Sequence, residues 1–95
     1  MRHAAPAVVY LGTIPDYAET EGRGARISGV AKASPAAAGG LESGDRVIGM
    51  AGQAIKNIYD YSHALDGLKV GQPVEVVVLR DGEERRLTIT PEARE

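Results

Sequence analysis

The fold is decided by residues 74–90, VEVVVLRDGEERRLTIT. The part before Asp81-Gly82 is rich in β-branched residues, and residues 86–90 alternate between polar and apolar side chains, so both parts favour extended strands. An Asp-Gly pair between two such runs is typical of a two-residue hairpin turn. The sequence therefore predicts an antiparallel β-hairpin, around which the other elements can be placed.

Upstream of the hairpin, the apolar pattern changes from strand to helix spacing. Apolar residues recur three and four positions apart at Ile58, Tyr61, Ala64, Leu65 and Leu68. This stripe predicts an amphipathic helix that runs to about Lys69, with Asn57 or Asp60 as a cap at its start. Gly71 and Pro73 are expected to end it.

The first third of the chain predicts strands and one short helix. Residues 8–14, VVYLGTI, read as one strand that Pro15 ends, since proline cannot donate to a ladder. An exposed loop over residues 18–24 and an alternating strand follow. Ser34-Pro35 then reads as the N-cap and first residue of a short helix, and residues 46–50 as a strand.

This order of elements predicts an α+β fold. Five or six short strands and two unequal helices suit a small, partly open β-barrel or sandwich with the helices at its openings. A length of 95 residues fits one domain, which we place at residues 8–91. Residues 1–7 and 92–95 are expected to be flexible ends of a piece excised from a longer protein.

The composition argues against several classes of partner. The chain has 11 basic and 13 acidic residues, a net charge of −2, and four Tyr as its only aromatic residues. A nucleic-acid or lipid surface normally needs a basic patch, which this sequence lacks, so we expect neither partner. No apolar run reaches the roughly 20 residues that span a bilayer, so no membrane contact is expected of this domain. The absence of Cys leaves the compartment undetermined.

The sequence offers no constellation for catalysis or metal binding. Ser62, His63 and Asp66 lie on one predicted helix, where neighbours point in different directions and cannot converge on one substrate atom. Neither His has a second ligand at metal-binding spacing. We therefore predict no catalytic residue, no metal and no cofactor.

Several short segments together resemble the PDZ domains of bacteria. They are Tyr10-Leu11-Gly12, Ser34-Pro35-Ala36-Ala37 with Gly40-Leu41, Gly44-Asp45-Arg46-Val47-Ile48, Gly52 and Arg80-Asp81-Gly82. Such domains occur in HtrA-like serine proteases, tail-specific proteases and site-two-type intramembrane proteases, with a strand order circularly permuted relative to most animal PDZ domains. The resemblance implies a periplasmic, cell-envelope or secreted location in a bacterium.

A narrower resemblance concerns residues 10–17 and 57–61 with Ala64-Leu65, which are similar to the C-terminal PDZ segment of bacterial zinc aminopeptidases. It implies a peptidase as the parent protein, whose zinc ligands would lie in another domain. The expected partners are a peptide or protein C-terminus and the remainder of that parent.

The family resemblance also implies a peptide-binding groove, in which a guest peptide adds a strand to an open sheet edge beside a helix. The implied residues are Tyr10, Leu11, Gly12, Thr13 and Ile14 on the edge and Ile58, Tyr61, Ser62 and Leu65 on the helix. A pocket of Leu11, Ile14, Ile58 and Leu65 is expected to prefer an aliphatic last residue. Core packing explains Tyr61 and Leu65 equally well.

Two interpretations of function stay open at this point. The first is a non-catalytic module that captures C-terminal or extended peptide segments for a protease. The second is a structural or homodimerisation domain whose groove is occupied by its own parent or by a second copy, with a weak homodimer as its signature. An independent enzyme would need polar groups that the sequence does not supply.

Overall fold

The structure, a computed structural model, describes residues 8–18 and 22–94. The expected flexible end at residues 1–7, part of the predicted loop at residues 19–21, and Glu95 lie outside the described residues. The elements are β1 (Val8–Tyr10), β2 (Thr13–Pro15), β3 (Ala25–Val30), α1 (Pro35–Ala38), β4 (Arg46–Met50), β5 (Gln53–Ala54), α2 (Ile58–Asp66), β6 (Val74–Arg80), β7 (Glu83–Ile89) and β8 (Glu92–Arg94).

Two antiparallel sheets make up the β-structure of the described residues. The larger sheet has the order β2-β3-β4-β6-β7, with β5 beside β4, and the smaller consists of β1 and β8. The α+β fold with one short and one longer helix is thus confirmed, and the large sheet is not closed into a barrel. The large sheet has six strands, in line with the prediction of five or six, and the described residues add the short pair of β1 and β8 because the first predicted strand is divided.

The division of the first strand occurs at Leu11 and Gly12. Tyr10 is paired with Glu92 of β8, whereas Thr13 is paired with Val30 of β3, so the chain passes from one sheet to the other at this point. Gly12 has a φ of +85°, a left-handed conformation that favours glycine and cannot continue a strand. The prediction of one unbroken strand over residues 8–14 was therefore wrong.

The hairpin of β6 and β7 is confirmed. Its register runs from Val74 opposite Ile89 to Arg80 opposite Glu83. Asp81 and Gly82 have φ values of 54° and 79°, the positive pair that a type I′ turn requires.

Helix α2 begins where the sequence predicted and ends earlier. The Asn57 side chain caps it by accepting a hydrogen bond from the Asp60 N–H at 2.9 Å. The helix stops at Asp66 rather than near Lys69, because the N–H groups of Gly67 and Leu68 bond to carbonyls three residues back. This tighter final turn places Leu68 in the core, at 7% exposure.

The core lies between the inner face of the large sheet and the two helices. Its apolar members are Leu11, Ala25, Ile27, Ala36, Leu41, Val47, Met50, Ile55, Ile58, Tyr61, Ala64, Leu68, Val76, Val78 and Ile89. Most of them are Val, Ile, Leu and Ala, together with one tyrosine and one methionine. The core holds both α1 and α2 against this sheet.

Candidate functional site

Strand β2 lies at one end of the large sheet. Its partner among the described residues is β3, which leaves the other edge of β2 without a strand beside it. The backbone groups on such an edge are a template for pairing with a further chain. The unpaired edge of β2 is therefore the candidate site for pairing with a further chain.

The hydrogen bonds of the loop before β2 fix which way its amide groups point. The Leu11 carbonyl accepts from the Ala36 N–H at 2.8 Å, and the Gly12 carbonyl accepts from the Ala31 N–H at 2.8 Å. In a planar trans peptide the carbonyl and the next N–H point in opposite directions. The N–H groups of Gly12 and Thr13 are consequently directed away from α1 and β3, side by side at the open edge.

Gly12 is required by sterics as well as by conformation. A Cβ built on Gly12 would overlap the Ser34 Cβ and lie 2.6 Å from its hydroxyl oxygen. Ser34 is held there because its hydroxyl accepts from the Ala37 N–H as the N-cap of α1 and donates to the Ala31 carbonyl at 2.7 Å. The cap that the sequence predicted at Ser34 thus also shapes the loop of Tyr10, Leu11 and Gly12, which the family resemblance implies at the peptide-binding groove.

Helix α2 faces the open edge of β2 at one polar contact. The Tyr61 hydroxyl and the Thr13 Oγ1 are 2.6 Å apart, which joins the middle of the helix to the first residue of the strand. The Tyr61 side chain is fully buried, and this burial raises the pKa of its phenol to about 12, although the Thr13 hydrogen bond favours ionisation. The phenol is therefore neutral at physiological pH. We call this line of contact between β2 and α2 the β2–α2 seam.

The structure brings most of the predicted site residues to this seam. Thr13 and Tyr61 meet directly, and Leu65 lies one turn after Tyr61 on the same side of α2, half-buried. Leu11 and Ile58 are buried in the adjoining core at 4% and 9% exposure. Their role in peptide binding stays a prediction.

Three predicted residues have a different setting. Ile14 is 54% exposed, and since successive strand residues face opposite sides, it points away from the side on which Thr13 meets Tyr61. The structure therefore does not bring Ile14 into a pocket with Leu65. Tyr10 is half-buried, with its hydroxyl near Gly12, and Ser62 is exposed on α2.

A buried ion pair near α1 was not recognised from the sequence. Asp45 is 1% exposed and accepts two hydrogen bonds from Arg80, at 2.8 and 2.7 Å, and one from the Glu42 N–H at 2.9 Å. Arg80 also donates to the Gly40 carbonyl at 2.8 Å. The pair fastens the loop after α1 to the end of β6. The signal that points to it is the combination of Gly44-Asp45 with Arg80-Asp81-Gly82, although Asp45 and Arg80 are 35 positions apart in the chain.

Opposing effects act on the Asp45 carboxyl. Burial by itself would raise its pKa, but the Arg80 hydrogen bonds, the Glu42 N–H and the positive charge of Arg80 together bring the pKa below its ordinary value of 3.8. The carboxylate stays ionised, and its acceptors are used within the domain. This arrangement suits structural support rather than proton transfer.

The described residues hold no cluster of three or more His, Cys, Asp or Glu side chains that could bind a metal ion. Ser62, His63 and Asp66 are all exposed on α2. Within residues 8–18 and 22–94, the helices are too short and too polar to cross a bilayer.

A concavity of about 290 Å³ lies away from the seam, against β4, β5 and β6. Its lining includes apolar residues such as Ile48 and Val77 and the charged residues Arg23, Glu75 and Glu84. It shares no residue with the seam. Its mixed charges select no particular ligand, so the open edge of β2 is the better candidate for binding.

Comparison with known proteins agrees with this geometry. The family model of the PDZ domain matches residues 10–90. A probable periplasmic serine endoprotease, DegP-like, of Pseudomonas savastanoi pv. phaseolicola is 40% identical over 67 residues, which are 70% of this chain and 14% of that protease. The chain thus spans about one seventh of the length of that relative.

Solved structures give the same picture. The HtrA-type protease AlgW with a decapeptide superposes with a TM-score of 0.76 at 26% identity, over 94% of this chain and 30% of that one. An aminopeptidase N family protein of Idiomarina loihiensis superposes with a TM-score of 0.79 over the whole of this chain and 16% of that one. Its identity of 20% shows the fold alone. The open edge, the glycine loop and the family match lead to one conclusion: the chain belongs to the PDZ domain family.

Proposed function

We propose that this domain is a non-catalytic module that binds the C-terminal residues of a peptide or protein by strand addition to β2. The observation that carries the proposal is the orientation of the Gly12 and Thr13 N–H groups, which lie together at the open edge beside α2. Two adjacent amide donors are suited to receive the oxygens of a terminal carboxylate. A guest that runs antiparallel to β2 would bring its carboxylate to this loop.

The seam offers an apolar surface for the last side chain of the guest. Leu65 is half-buried and Ile58 lies one helical turn before Tyr61, so aliphatic atoms adjoin the polar contact of Tyr61 with Thr13. Burial of one aliphatic side chain contributes about 1.5–3 kcal/mol, and each ladder bond about 0.5–1.5 kcal/mol. Binding is therefore expected to be weak and rapidly reversible, with a preference for Val, Leu or Ala at the C-terminus.

The relatives support a role beside a protease. The DegP-like relative is named as a periplasmic serine endoprotease, and the AlgW structure contains a decapeptide. We infer that this domain recognises substrates or regulates the activity of a bacterial peptidase in the periplasm or cell envelope. A zinc aminopeptidase as the parent stays a prediction of the sequence resemblance, because the aminopeptidase neighbour shows the fold alone.

Isothermal titration of the domain with peptides that end in Val, Leu or Ala tests the proposal. The Leu65→Ser variant should bind these peptides at least about fivefold more weakly, because it removes aliphatic surface from the seam. The matched control is Val70→Ser, since Val70 is also aliphatic but is 45% exposed in the loop after α2. Gly12→Asp should abolish binding, provided that its circular dichroism spectrum shows a folded domain.

The competing interpretation predicts different results. A domain whose β2 edge is occupied by a second copy would bind no carboxylate-terminated peptide and would elute as a dimer in size-exclusion chromatography. Equal peptide affinities of the Leu65→Ser and Val70→Ser variants would place any binding outside the seam. Either result overturns the proposed function.

A further inference from the structure

The open edge of β2 loses its hydrogen-bond donors at Pro15. Thr13 is the first residue of β2 whose backbone points outward, since the Gly12 carbonyl on its N-terminal side accepts from Ala31, the residue after β3. Backbone groups alternate between the two edges of a strand, so Ile14 is directed at β3, where it pairs with Gly29. The next outward residue is Pro15, which has no N–H.

The chain after Pro15 does not restore the edge. The Asp16 N–H donates to the Arg26 carbonyl at 2.9 Å, so the amide of this peptide points inward at β3. The Pro15 carbonyl belongs to the same planar peptide and therefore points outward. The Asp16 side chain accepts from the Ala18 N–H at 3.1 Å and pairs with Arg26 at 2.8 Å, so the backbone turns away from the edge.

Three outward backbone groups result among the described residues of β2: the N–H and carbonyl of Thr13 and the carbonyl of Pro15. In an antiparallel pairing, the last residue of a guest would lie opposite Thr13 and its third-last residue opposite Pro15. Both carbonyls can accept a guest N–H. The outward N–H donors of the domain are those of Gly12 and Thr13, next to the position of the guest carboxylate. Opposite the third-last guest residue stands Pro15, which offers no N–H to the carbonyl of that guest residue.

We propose that Pro15 is a specificity-determining residue, which limits backbone recognition to the last three residues of a guest and thereby makes the free carboxylate indispensable. This inference rests on the proposed function and adds to it the length and the chemistry of the ligand. An internal peptide segment has backbone carbonyl groups but no carboxylate. In β2, only the Thr13 N–H can donate to such a carbonyl, because the next outward residue is Pro15. Residues upstream of the third-last position find no further outward donor or acceptor in β2.

Fluorescence anisotropy competition with synthetic peptides tests the inference. The probes are a decapeptide that ends in Leu-Val, its acetylated last three residues, and the same decapeptide with a C-terminal amide. We expect the decapeptide and the tripeptide to have dissociation constants within about threefold, and the amide to bind at least about tenfold more weakly, since it forfeits charge-assisted hydrogen bonds.

The variant Pro15→Val restores an outward N–H opposite the third-last guest residue. It should strengthen binding of the free-carboxylate decapeptide by about two- to tenfold, the effect of one added hydrogen bond. The matched control is Pro73→Val, an exposed proline in the loop before β6, which should leave affinity unchanged. Thermal melts of both variants verify that each domain is folded.

The outcomes separate this inference from the proposed function. If peptides bind but the decapeptide binds more than tenfold more tightly than the tripeptide, or folded Pro15→Val shows no gain in affinity, the limit at Pro15 is refuted while the proposed function stands. If the amide binds as tightly as the acid, both the limit at Pro15 and the carboxylate site of the proposed function are refuted. If wild-type protein binds none of the three peptides, both proposals fall.

Discussion

Replacement of Asp45 by asparagine should destabilise this domain more than any exposed charge substitution. The carboxylate is 1% exposed and accepts three hydrogen bonds, two from Arg80 and one from the Glu42 N–H. Asparagine has nearly the same size but presents an NH₂ group to one of these donors, so at least one buried donor loses its acceptor. The Arg80 charge also loses its buried partner.

The magnitude follows from these contacts. Breaking a buried ion pair on one side costs about 3–5 kcal/mol, and we take the lower end because the Arg80 side chain is 20% exposed and can regain water. A domain of 95 residues has a free energy of unfolding of about 5–14 kcal/mol. A loss of about 3 kcal/mol is then a large fraction of it and lowers the melting temperature by roughly 12–24 °C.

Equilibrium unfolding in urea at neutral pH measures this loss. The control is Asp81→Asn, because Asp81 is exposed in the hairpin turn and asparagine also tolerates its positive φ of 54°. That variant should differ from wild type by at most about 0.5 kcal/mol. A loss below about 1 kcal/mol for Asp45→Asn would show that the pair is not a structural fastening and would refute the reasoning.

Two further predictions concern pH. The pKa of Asp45 in the folded state is lowered, so its ionised carboxylate stabilises the fold fully above the ordinary value of 3.8. This contribution is lost as the pH falls through the folded-state pKa. In urea unfolding between pH 2 and 6, the free energy of unfolding should therefore fall less steeply with acid for Asp45→Asn than for wild type. The folded pKa of Tyr61 is raised to about 12, so its stabilisation is complete below pH 10 and is lost as the pH rises toward 12. Tyr61→Phe removes the hydrogen bond to Thr13 and should lower the free energy of unfolding by about 1 kcal/mol at pH 7. It should also reduce the loss of stability between pH 10 and 12. The same pH dependence as wild type would contradict the role given to the Tyr61 phenol.

Local sequence chemistry accounts for the elements that were predicted correctly. The Asp81-Gly82 turn, the Ser34 cap of α1 and the Asn57 cap of α2 each depend on interactions within a few residues, and all three occur in the structure. The helical stripe of α2 is likewise set by a spacing that is visible in the chain. Only its end was misplaced, because Gly67 weakens the last turn.

The candidate site was predictable only in part. The family resemblance located the loop at Tyr10, Leu11 and Gly12, but the periodicity of residues 8–14 gave no sign that the strand divides there. Ile14 was assigned to a pocket because it is apolar, whereas the direction of its side chain depends on which face of β2 meets α2. The contact of Thr13 with Tyr61 joins residues 48 positions apart, and no local pattern indicates it.

The turns, the helix caps, the amphipathic helix and membership of a known family are all predictable from the amino-acid sequence, because they depend on neighbouring residues and on motifs. Only the three-dimensional structure shows that the first strand divides at Gly12, that the amides of Gly12 and Thr13 face outward, and that Asp45 is buried against Arg80. Each of these depends on which distant strand or helix occupies the adjacent space. These contacts depend on how all elements of the domain pack together, so no single segment of the sequence predicts them.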